Sequence, residues 1–260
     1  MKPAVLVIAG HDPTGGAGLD ADRRAVERLE ATFCPVVTAL TEQDGVDVQA
    51  VIPRPVGRWR SEALAHLLRH SPRVAKTGLL PGVPHVRAAR EVLERLLRRE
   101  ETVAIVDPVL AASGGREFLD DEGVEVLLNE LVPLGIVLTP NLPEAARLTG
   151  MDSERLAAEP ELRIEAASQL VERGAEAVLL KGGHASEERV RALVLERGND
   201  PVWIERARVP GPTPHGASIH GSGCRYASTV AAAVAGGRGL EESARMAGIW
   251  LGELLAHTGR

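Results

Sequence analysis

A glycine-rich segment late in the chain, His220–Cys224, has the composition of a phosphate-binding loop. It leads into a run of small residues that predicts a tightly packed helix over Gly221–Ala235. The unpaired N–H groups at a helix start, together with the positive end of the helix dipole, favour an anion or a developing negative charge. An ordinary glycine-rich start of an alanine helix is the alternative. The predicted anion site consists of Gly221, Ser222, Gly223 and Cys224.

Cys224 adds a reactive thiol to this segment. It falls in the first turn of the predicted helix, where the helix dipole stabilises a thiolate. We therefore expect the pKa of this thiol to be lowered.

Charged side chains follow two other apolar runs. Lys181 comes directly after Ala177–Leu180 and precedes two glycines, so its ammonium group could meet a phosphate that approaches the backbone. A tight turn with an exposed lysine is the alternative. Asn141 and Glu144 stand at the start of a predicted helix, where their oxygen atoms could orient Mg²⁺ directly or through water. A capping box explains the same pair without a metal.

The N-terminal segment Gly10–Gly18 predicts a loop at which a ligand can approach the backbone. Asp12 and Asp22 are candidate polar contacts for that ligand, although an acidic residue early in a helix is often simply exposed to solvent. Gly16–Ala21 fits the G-x-G-x-x-A dinucleotide fingerprint, but it begins too far beyond the preceding apolar run for a tight Rossmann turn. We therefore favour a substrate-binding loop.

Short apolar runs alternate with helical periodicity along most of the chain, and this pattern predicts the elements that position these side chains. The predicted central strands are Ala4–Ala9, Pro35–Leu40, Arg73–Lys76, Val103–Val106, Gly135–Leu138 and Ala177–Leu180. The predicted helices are Ala17–Glu30, Pro55–Arg69, Val83–Arg99, Asp120–Leu131, Glu161–Arg173, Gly221–Ala235 and Glu241–Ala256. Arg189–Leu195 and Val202–Arg208 predict a late antiparallel edge pair. Strands that are apolar on both faces and separated by helices indicate an α/β fold with a mostly parallel sheet, which we expect to be one domain over residues 1–260.

In a sheet of this kind, ligands bind beyond the carboxyl ends of the strands. Polar residues and glycines follow every predicted central strand. They are Gly10–Gly18, Thr41–Asp44, Thr77–Gly78, Asp107–Pro108, Thr139–Glu144 and Lys181–His184. We therefore predict one functional site at this edge of the sheet.

Composition narrows the class of protein. The 44% hydrophobic and 25% charged content is typical of a soluble globular protein. A net charge of −6 and only three Trp, one Tyr and two Phe disfavour a nucleic-acid surface. Apolar runs stay well short of the roughly 18 residues that span a membrane, and two cysteines do not suggest a disulfide framework. We expect a cytoplasmic protein that binds neither nucleic acid nor membrane.

One further pattern, His66 and His70, places two imidazoles four residues apart on a predicted helix. The sequence offers neither a third ligand nor a catalytic Glu beside them, so we interpret them as ordinary surface or core histidines.

The order and spacing of seven segments carry a family resemblance. The segments are AGHDPTGGAGLDAD (Ala9–Asp22), TALTEQD (Thr38–Asp44), KTGLL (Lys76–Leu80), VDPVLAASGG (Val106–Gly115), TPNLPEAARLTG (Thr139–Gly150), KGGH (Lys181–His184) and HGSGC (His220–Cys224). With them the chain resembles the hydroxymethylpyrimidine/phosphomethylpyrimidine kinases of thiamine synthesis, within the ribokinase-like superfamily. The resemblance implies a three-layer α/β/α sandwich, a homodimer, and ATP and Mg²⁺ as cofactors.

The same resemblance implies two phosphorylations, first of 4-amino-5-hydroxymethyl-2-methylpyrimidine and then of its monophosphate to the diphosphate. It implies that Gln43 hydrogen-bonds the aminopyrimidine edge. The implied lining of the pyrimidine pocket is Gly10, Asp22, Gly78, Leu80 and Val109.

For the nucleotide, the resemblance implies Asp107 and Glu144 at the metal, Asn141 beside the triphosphate and Lys181 at the phosphates. The resemblance also implies that the Gly221–Cys224 segment forms the anion hole. Because sugar kinases of the superfamily carry an Asp base where this chain has Cys224, we expect the thiolate to assist deprotonation of the substrate hydroxymethyl group. The alternative is that Cys224 only positions the substrate.

The chain departs from the family pattern at two single residues, Asp20 where Gln is frequent and Leu80 where Met is frequent, and at two dipeptides. Asp44–Gly45 stands where Asn-Thr is common, and Arg225–Tyr226 where Thr-Leu is usual. We predict that the Arg225 guanidinium contacts ATP or the phosphorylated substrate. Two rival functions remain: a pyridoxal kinase of the same superfamily, and a pyrimidine-binding protein that has lost catalysis.

Overall fold

Nine strands form one sheet in the computed structural model, which describes residues 2–43, 48–112, 114–185, 187–211 and 219–258. The strands are β1 (Ala4–His11), β2 (Thr32–Gln43), β3 (Val48–Pro53), β4 (Val74–Thr77), β5 (Val103–Val106), β6 (Val137–Leu138), β7 (Ala177–Leu180), β8 (Arg189–Glu196) and β9 (Val202–Ala207). Their order across the sheet is β3-β2-β1-β4-β5-β6-β7-β8-β9.

The six strands from β2 to β7 in that order are parallel, so their carboxyl ends lie at one edge of the sheet. β3 at one side and the pair β8–β9 at the other are antiparallel. β1 has β2 on one side and β4 on the other, so the direction in which strands are added reverses there. Such a reversal opens a crevice beyond the carboxyl ends of the strands.

Helices cover both faces of the sheet. They are α1 (Gly18–Arg28), α2 (Val56–His70), α3 (Val83–Leu97), α4 (Asp121–Val126), α5 (Leu142–Thr149), α6 (Ser153–Ala158), α7 (Pro160–Glu172), α8 (Ser222–Ala235) and α9 (Leu240–Thr258). Residues of α2 to α7 build the core on one face, and residues of α1, α8 and α9 build the core on the other. The predicted three-layer α/β/α sandwich is therefore confirmed.

Strand β1 shows why an unbroken apolar run becomes a central strand. Leu6 and Ile8 pack into the core beneath α2 to α7, whereas Val5 and Val7 pack beneath α1, α8 and α9. All four side chains are fully buried. Each such burial contributes about 1.5–3 kcal/mol, which this sequence gains only between two helical layers.

The structure departs from the sequence-based prediction at short elements. β3 and α6 were not predicted; β3 is a half-exposed edge strand whose residues lack a clear apolar alternation. The predicted strand Gly135–Leu138 begins only at Val137, because Gly135 has a φ of 75° and ends a 3₁₀ turn over Val132–Leu134.

The predicted helix Asp120–Leu131 is also modified, since it widens into a π-helical turn over Leu127–Leu131. The late antiparallel pair β8–β9 lies at the sheet edge as predicted. Of the helices in the described ranges, none is both long enough and apolar enough to cross a membrane.

Candidate functional site

A cavity of about 1050 Å³ opens at the carboxyl edge of the parallel strands. Most of the residues predicted from the sequence line it together, although they are far apart in the chain. These residues are Gly10, Gln43, Gly78, Asp107, Val109, Asn141, Glu144, Lys181, Gly221, Ser222, Gly223 and Cys224.

The predicted anion loop forms the start of α8. Gly221 is the N-cap residue with a φ of 75°, and a Cβ there would lie 2.5 Å from the Gly16 carbonyl oxygen, so only glycine fits this close approach. The Ser222 N–H donates to the Ile219 carbonyl. Within the described part of the chain, the N–H groups of Gly223 and Cys224 make no backbone hydrogen bond. Two donors therefore face the cavity at the positive end of the helix.

Lys181 lies beside this loop. A Cβ on Gly223 would lie 3.3 Å from Lys181 Nζ, so the glycine keeps the space between them open. Lys181 Nζ is 2.8 Å from Asp107 Oδ1 and 3.8 Å from Glu144 Oε2. Burial alone would lower the pKa of Lys181, but the carboxylates of Asp107 and Glu144 outweigh it and raise that pKa. The ammonium group therefore stays charged at the mouth of the anion loop.

Asn141 and Glu144 form a capping box at the start of α5. The Glu144 N–H donates to Asn141 Oδ1 at 2.8 Å, and the Asn141 N–H donates to Glu144 Oε2 at 2.7 Å. The capping box that was the alternative to a metal site is therefore present, but both side chains also line the cavity. Burial, with the nearby Asp107 carboxylate adding to it, raises the pKa of Glu144 to about 7.

The oxygen donors at this end of the cavity fit Mg²⁺. Asp107 and Glu144 each have a carboxylate within 4 Å of Lys181 Nζ, and Asn141 adds a neighbouring amide. Mg²⁺ prefers oxygen ligands, retains several waters and commonly takes one or two protein carboxylates beside phosphate oxygens. This donor set suits such a mode of binding.

Asp12 joins the two glycine loops at the opposite wall. Its carboxylate accepts hydrogen bonds from the Ala17 N–H at 2.7 Å and the Thr14 N–H at 2.8 Å, and lies 3.0 Å from His220 Nε2. Burial would raise the pKa of Asp12, but hydrogen bonds from the Thr14 hydroxyl and from the Thr14 and Ala17 N–H groups outweigh it and lower that pKa. A charged Asp12 therefore fixes the N-terminal loop against the residue that precedes Gly221.

The cavity extends to a pocket at the carboxyl ends of β1, β2 and β4, which the polar residues His11, Asp12 and Thr41 also line. Gly10, Gly78 and Val109 line it, and Gln43 places an amide at its rim. A Cβ on Gly78 would lie 3.2 Å from Ala9 Cβ, so a larger residue there would narrow this pocket. The pocket is suited to a flat ring that makes a few hydrogen bonds.

Asp22 does not line this pocket, contrary to the prediction. It lies on the inner side of α1 with no exposed surface, where its carboxylate accepts from Lys76 Nζ at 2.9 Å and from Ser228 Oγ at 2.7 Å. Because Asp22 is fully buried, the alternative that it is simply a solvent-exposed acid early in a helix is also wrong. Its place is beneath the site, between α1, β4 and α8.

Leu80 is a second correction. Its side chain is 5% exposed and packs in the core beneath α2 to α7, whereas the neighbouring Leu79 lines the cavity. In the segment after β4, the residue that faces the site is therefore Leu79 and not Leu80. Asp44 and Gly45, where the family pattern commonly has Asn-Thr, lie outside the described residues.

The expected low pKa of Cys224 is wrong. Burial raises the pKa of its thiol to about 11, and the nearby Asp22 and Asp107 carboxylates add to this against the opposing charge of Lys76. A helix terminus lowers a thiol pKa when the sulfur is open to solvent, but here desolvation is the larger effect. At neutral pH Cys224 is a thiol.

Arg225 does not reach the cavity, so its predicted contact with ATP or phosphorylated substrate is also corrected. Its side chain is only 8% exposed, and Nη1 donates to the Gly16 carbonyl at 2.7 Å and the His220 carbonyl at 2.6 Å. The guanidinium ties the two glycine loops together from behind.

Sequence reasoning missed the apolar end of the cavity on the other side of Lys181. Its lining comes from strands β8 and β9 and helices α8 and α9, and includes Ala192, Ile204, Tyr226, Ala244 and Leu251. In sequence these residues read as ordinary core positions, because only the packing of α9 against β9 turns them toward a common space. The sequence likewise did not predict that His220 contacts Asp12.

Comparison with known proteins assigns the chain to a family. A family model described as phosphomethylpyrimidine kinase matches residues 12–259. The chain belongs to the phosphomethylpyrimidine kinase family, and it is a phosphotransferase. The hydroxymethylpyrimidine/phosphomethylpyrimidine kinase of Bacillus subtilis is 35% identical over 256 residues, which cover 97% of this chain and 89% of the relative.

Two further relatives bear on function. The thiamine biosynthesis bifunctional protein ThiED of Geobacter sulfurreducens is 35% identical over 244 residues, and the chain spans about half of it, 47% of its length. The structure of the pyridoxal kinase from Staphylococcus aureus in complex with AMP-PCP is 25% identical and superposes with a TM-score of 0.84, covering 98% of this chain and 89% of that one. The fold is that of the ribokinase-like kinases.

Proposed function

We propose that this protein transfers the γ-phosphoryl group of ATP to 4-amino-5-hydroxymethyl-2-methylpyrimidine and then to the phosphate of the resulting monophosphate, in thiamine biosynthesis. One observation carries the proposal. In a chain of this kinase family, one cavity contains Lys181, the free N–H groups of Gly223 and Cys224, and the pocket lined by Gly10 and Gln43. Phosphoryl transfer needs mainly positioning and neutralisation of charge, which these groups supply.

The triphosphate would lie between Lys181 and the start of α8. The ammonium group neutralises charge on the transferring phosphoryl group, and the N–H groups of Gly223 and Cys224 donate hydrogen bonds to its oxygens. Asp107 and Glu144 would hold Mg²⁺, and Asn141 would orient a water or a phosphate oxygen. When bound, Mg²⁺ neutralises charge on the phosphate oxygens.

The nucleotide base would occupy the apolar end of the cavity between α8, α9 and β9. Side chains such as Tyr226 and Leu251 offer apolar contact there, and the charged residues Arg206 and Arg245 also line this end. This arrangement binds a flat ring by burial rather than by a dense set of hydrogen bonds.

The pyrimidine would occupy the opposite end, with its hydroxymethyl oxygen directed toward the anion loop. Gln43 offers both an amide donor and an acceptor, which match the aminopyrimidine edge. Cys224 would contact the hydroxymethyl group as a neutral thiol. Because the phosphoryl-transfer transition state is loose, the attacking oxygen needs little prior deprotonation, and a strong base is unnecessary.

A coupled assay of ADP release tests the proposal, with hydroxymethylpyrimidine, its monophosphate, pyridoxal and ribose in parallel. We expect turnover with both pyrimidines and a fall in kcat of about 100-fold or more in Lys181→Met. Lys2→Met, an exposed lysine outside the cavity, is the matched control and should behave as wild type. ADP release with none of the four compounds would favour a binding protein without catalysis.

Pyridoxal kinase is the second candidate, because the structural match to the Staphylococcus aureus enzyme covers 98% of this chain. Pyridoxal also presents a hydroxymethyl group on an aromatic ring. If the same assay gives a higher kcat/KM for pyridoxal than for hydroxymethylpyrimidine, this candidate replaces the first.

We also propose a cytoplasmic location, one kinase domain over residues 1–260, and a homodimer. The free thiols of Cys34 and Cys224 fit a reducing compartment, and the nine-stranded sheet supports one domain. Leu40 and Ile52 are register partners on β2 and β3 and are 43% and 47% exposed, so the β3 edge offers an apolar contact for a second copy. Light scattering of wild type and Ile52→Lys tests the dimer, which the substitution should weaken.

A further inference from the structure

Three metal-binding side chains meet on the face of the sheet covered by α2, away from the cavity. They are Cys34 on β2 and His66 and His70 on α2. One potential ligand atom from each residue lies within 4.8 Å of the others. None of the three lines the cavity, so the cluster is separate from the kinase site.

The fold supplies the third ligand that the sequence did not show. Cys34 is 1% exposed and belongs to the same core as Ala63 and Leu67, so its side chain lies on the α2 side of β2. His66 and His70 are one helical turn apart, on the same face of α2, with ring centroids 5.3 Å apart. The packing of α2 on β2 therefore brings a thiol and two imidazoles together.

The half-buried His66 has the Pro35 backbone carbonyl beside its ring, where it favours a protonated ring nitrogen. In metal-binding histidines one ring nitrogen commonly donates to a carbonyl while the other binds the ion, and the Pro35 carbonyl is placed to serve as that partner. His70 is exposed and provides the path by which an ion reaches the buried sulfur.

We propose that Cys34, His66 and His70 form a binding site for a divalent transition-metal ion that accepts nitrogen and sulfur ligands, Zn²⁺ being the representative case. Tetrahedral Zn²⁺ with ordinary bond lengths places such ligand atoms about 3.3–3.6 Å apart. The ligand atoms, which lie within 4.8 Å of one another, would approach by about 1 Å when the ion binds. Water takes the fourth position.

The chemistry of the donors separates this ion from Mg²⁺. A thiolate and two imidazoles suit Zn²⁺, Co²⁺ and related ions, whereas Mg²⁺ requires oxygen. On binding, the thiol proton of Cys34 passes to solvent and both imidazoles bind as neutral groups. Among the charged groups near His66, Glu62 favours the ion and Arg69 opposes it, although Glu62 is also paired with Arg54.

A Co²⁺ titration of the chelator-treated full-length protein, in the presence of Mg²⁺, tests the site. We expect one Co²⁺ per chain, with thiolate–Co²⁺ charge-transfer absorption and the intense visible bands of tetrahedral Co²⁺, and displacement of both signals by Zn²⁺. Cys34→Ser should lose the charge-transfer band. Cys224→Ser, which removes the other cysteine of the chain, should retain it.

Because Cys34→Ser alters a core residue, a second variant pair keeps the test independent of folding. His70→Ala changes an exposed side chain and should weaken Co²⁺ binding more than tenfold, whereas His257→Ala, an exposed histidine on α9, should leave it unchanged. The site is disproved if wild type shows no thiolate band, if that band depends on Cys224, or if His70→Ala binds Co²⁺ as tightly as wild type. Kinase activity has no part in these measurements, so the proposed function stands or fails separately.

Discussion

Glu144 is the residue whose protonation decides how much negative charge the site offers to a metal. It shares Lys181 with Asp107, and its Oε2 also accepts the Asn141 N–H. With a pKa near 7, Glu144 is largely protonated below that pH and ionised above it. The net charge of the three groups therefore changes within the physiological range.

We predict that the apparent affinity for Mg²⁺, measured from the Mg²⁺ dependence of ADP release, rises as pH increases through 7. The rise is at most tenfold per pH unit, because one proton is displaced. Glu144→Gln keeps an oxygen for the capping box and should flatten this dependence. Glu122→Gln, an exposed acid in α4, should leave it as in wild type. A wild-type Mg²⁺ affinity that is constant from pH 6 to 8 would contradict the assignment.

Cys224 gives a second prediction at the scale of a residue. With a pKa of about 11, only about one thiol in 10⁴ is ionised at pH 7, so a thiolate base is unavailable. Cys224→Ser should keep kcat within about tenfold of wild type, with an unchanged pH profile between 7 and 9. A wild-type rate that climbs tenfold per pH unit, and a variant that does not, would restore the thiolate as base.

The starts of α1 and α8 act as one unit, because their glycine loops are joined twice. Asp12 lies 3.0 Å from His220 Nε2, and Arg225 donates to carbonyls in both loops. Without Arg225 the two carbonyls would lose a charged donor in a half-buried position. The geometry of the anion loop thus depends on a residue that does not line the cavity.

We predict that Arg225→Met lowers the free energy of unfolding by about 1–3 kcal/mol and raises KM for both substrates. Denaturant unfolding and the ADP-release assay measure the two effects. Arg24→Met is the matched control: Arg24 also donates to a loop carbonyl, that of Gly15, but from an exposed position. If the two variants lose equal stability, Arg225 has no special role in the loop.

At the scale of the whole molecule, one buried ion pair connects the sheet to the layer of α1 and α8. Lys76 on β4 and Asp22 on α1 are both fully buried, and Ser228 on α8 completes the contact. Burial alone would lower the pKa of Lys76, but the Asp22 carboxylate outweighs it and holds that pKa above its usual value. Removing one partner would leave a buried charge without compensation.

Lys76→Met should therefore lower the free energy of unfolding by about 3–5 kcal/mol, measured in urea. The control is Arg73→Met, which breaks the pair of Arg73 with Glu101, whose side chains are 53% and 77% exposed. That substitution should cost less than about 1 kcal/mol. Comparable losses in the two variants would mean that the buried pair does not hold the layers together.

Much of the site was predictable because each motif follows a strand of a parallel sheet. The end of a strand specifies where a residue such as Lys181 or Gln43 lies, so local pattern was sufficient for these positions. It was insufficient for Asp22, which lies on the buried face of α1, and for Leu80, which packs in the core while the neighbouring Leu79 lines the cavity. A resemblance between motifs does not tell which of their residues face the cavity and which face the core.

By itself, the sequence determined the α/β class, the helical layers on both faces of the sheet, the glycine-rich and charged segments at the strand ends and the family resemblance, because these depend on hydrophobic period and on glycine and charge at strand ends. Tertiary structure alone decided the thiol state of Cys224, the inward direction of Arg225, the apolar end of the cavity and the meeting of Cys34 with His66 and His70. Each of these depends on desolvation or on contacts between segments distant in the chain. Such effects arise only when helices pack on the sheet.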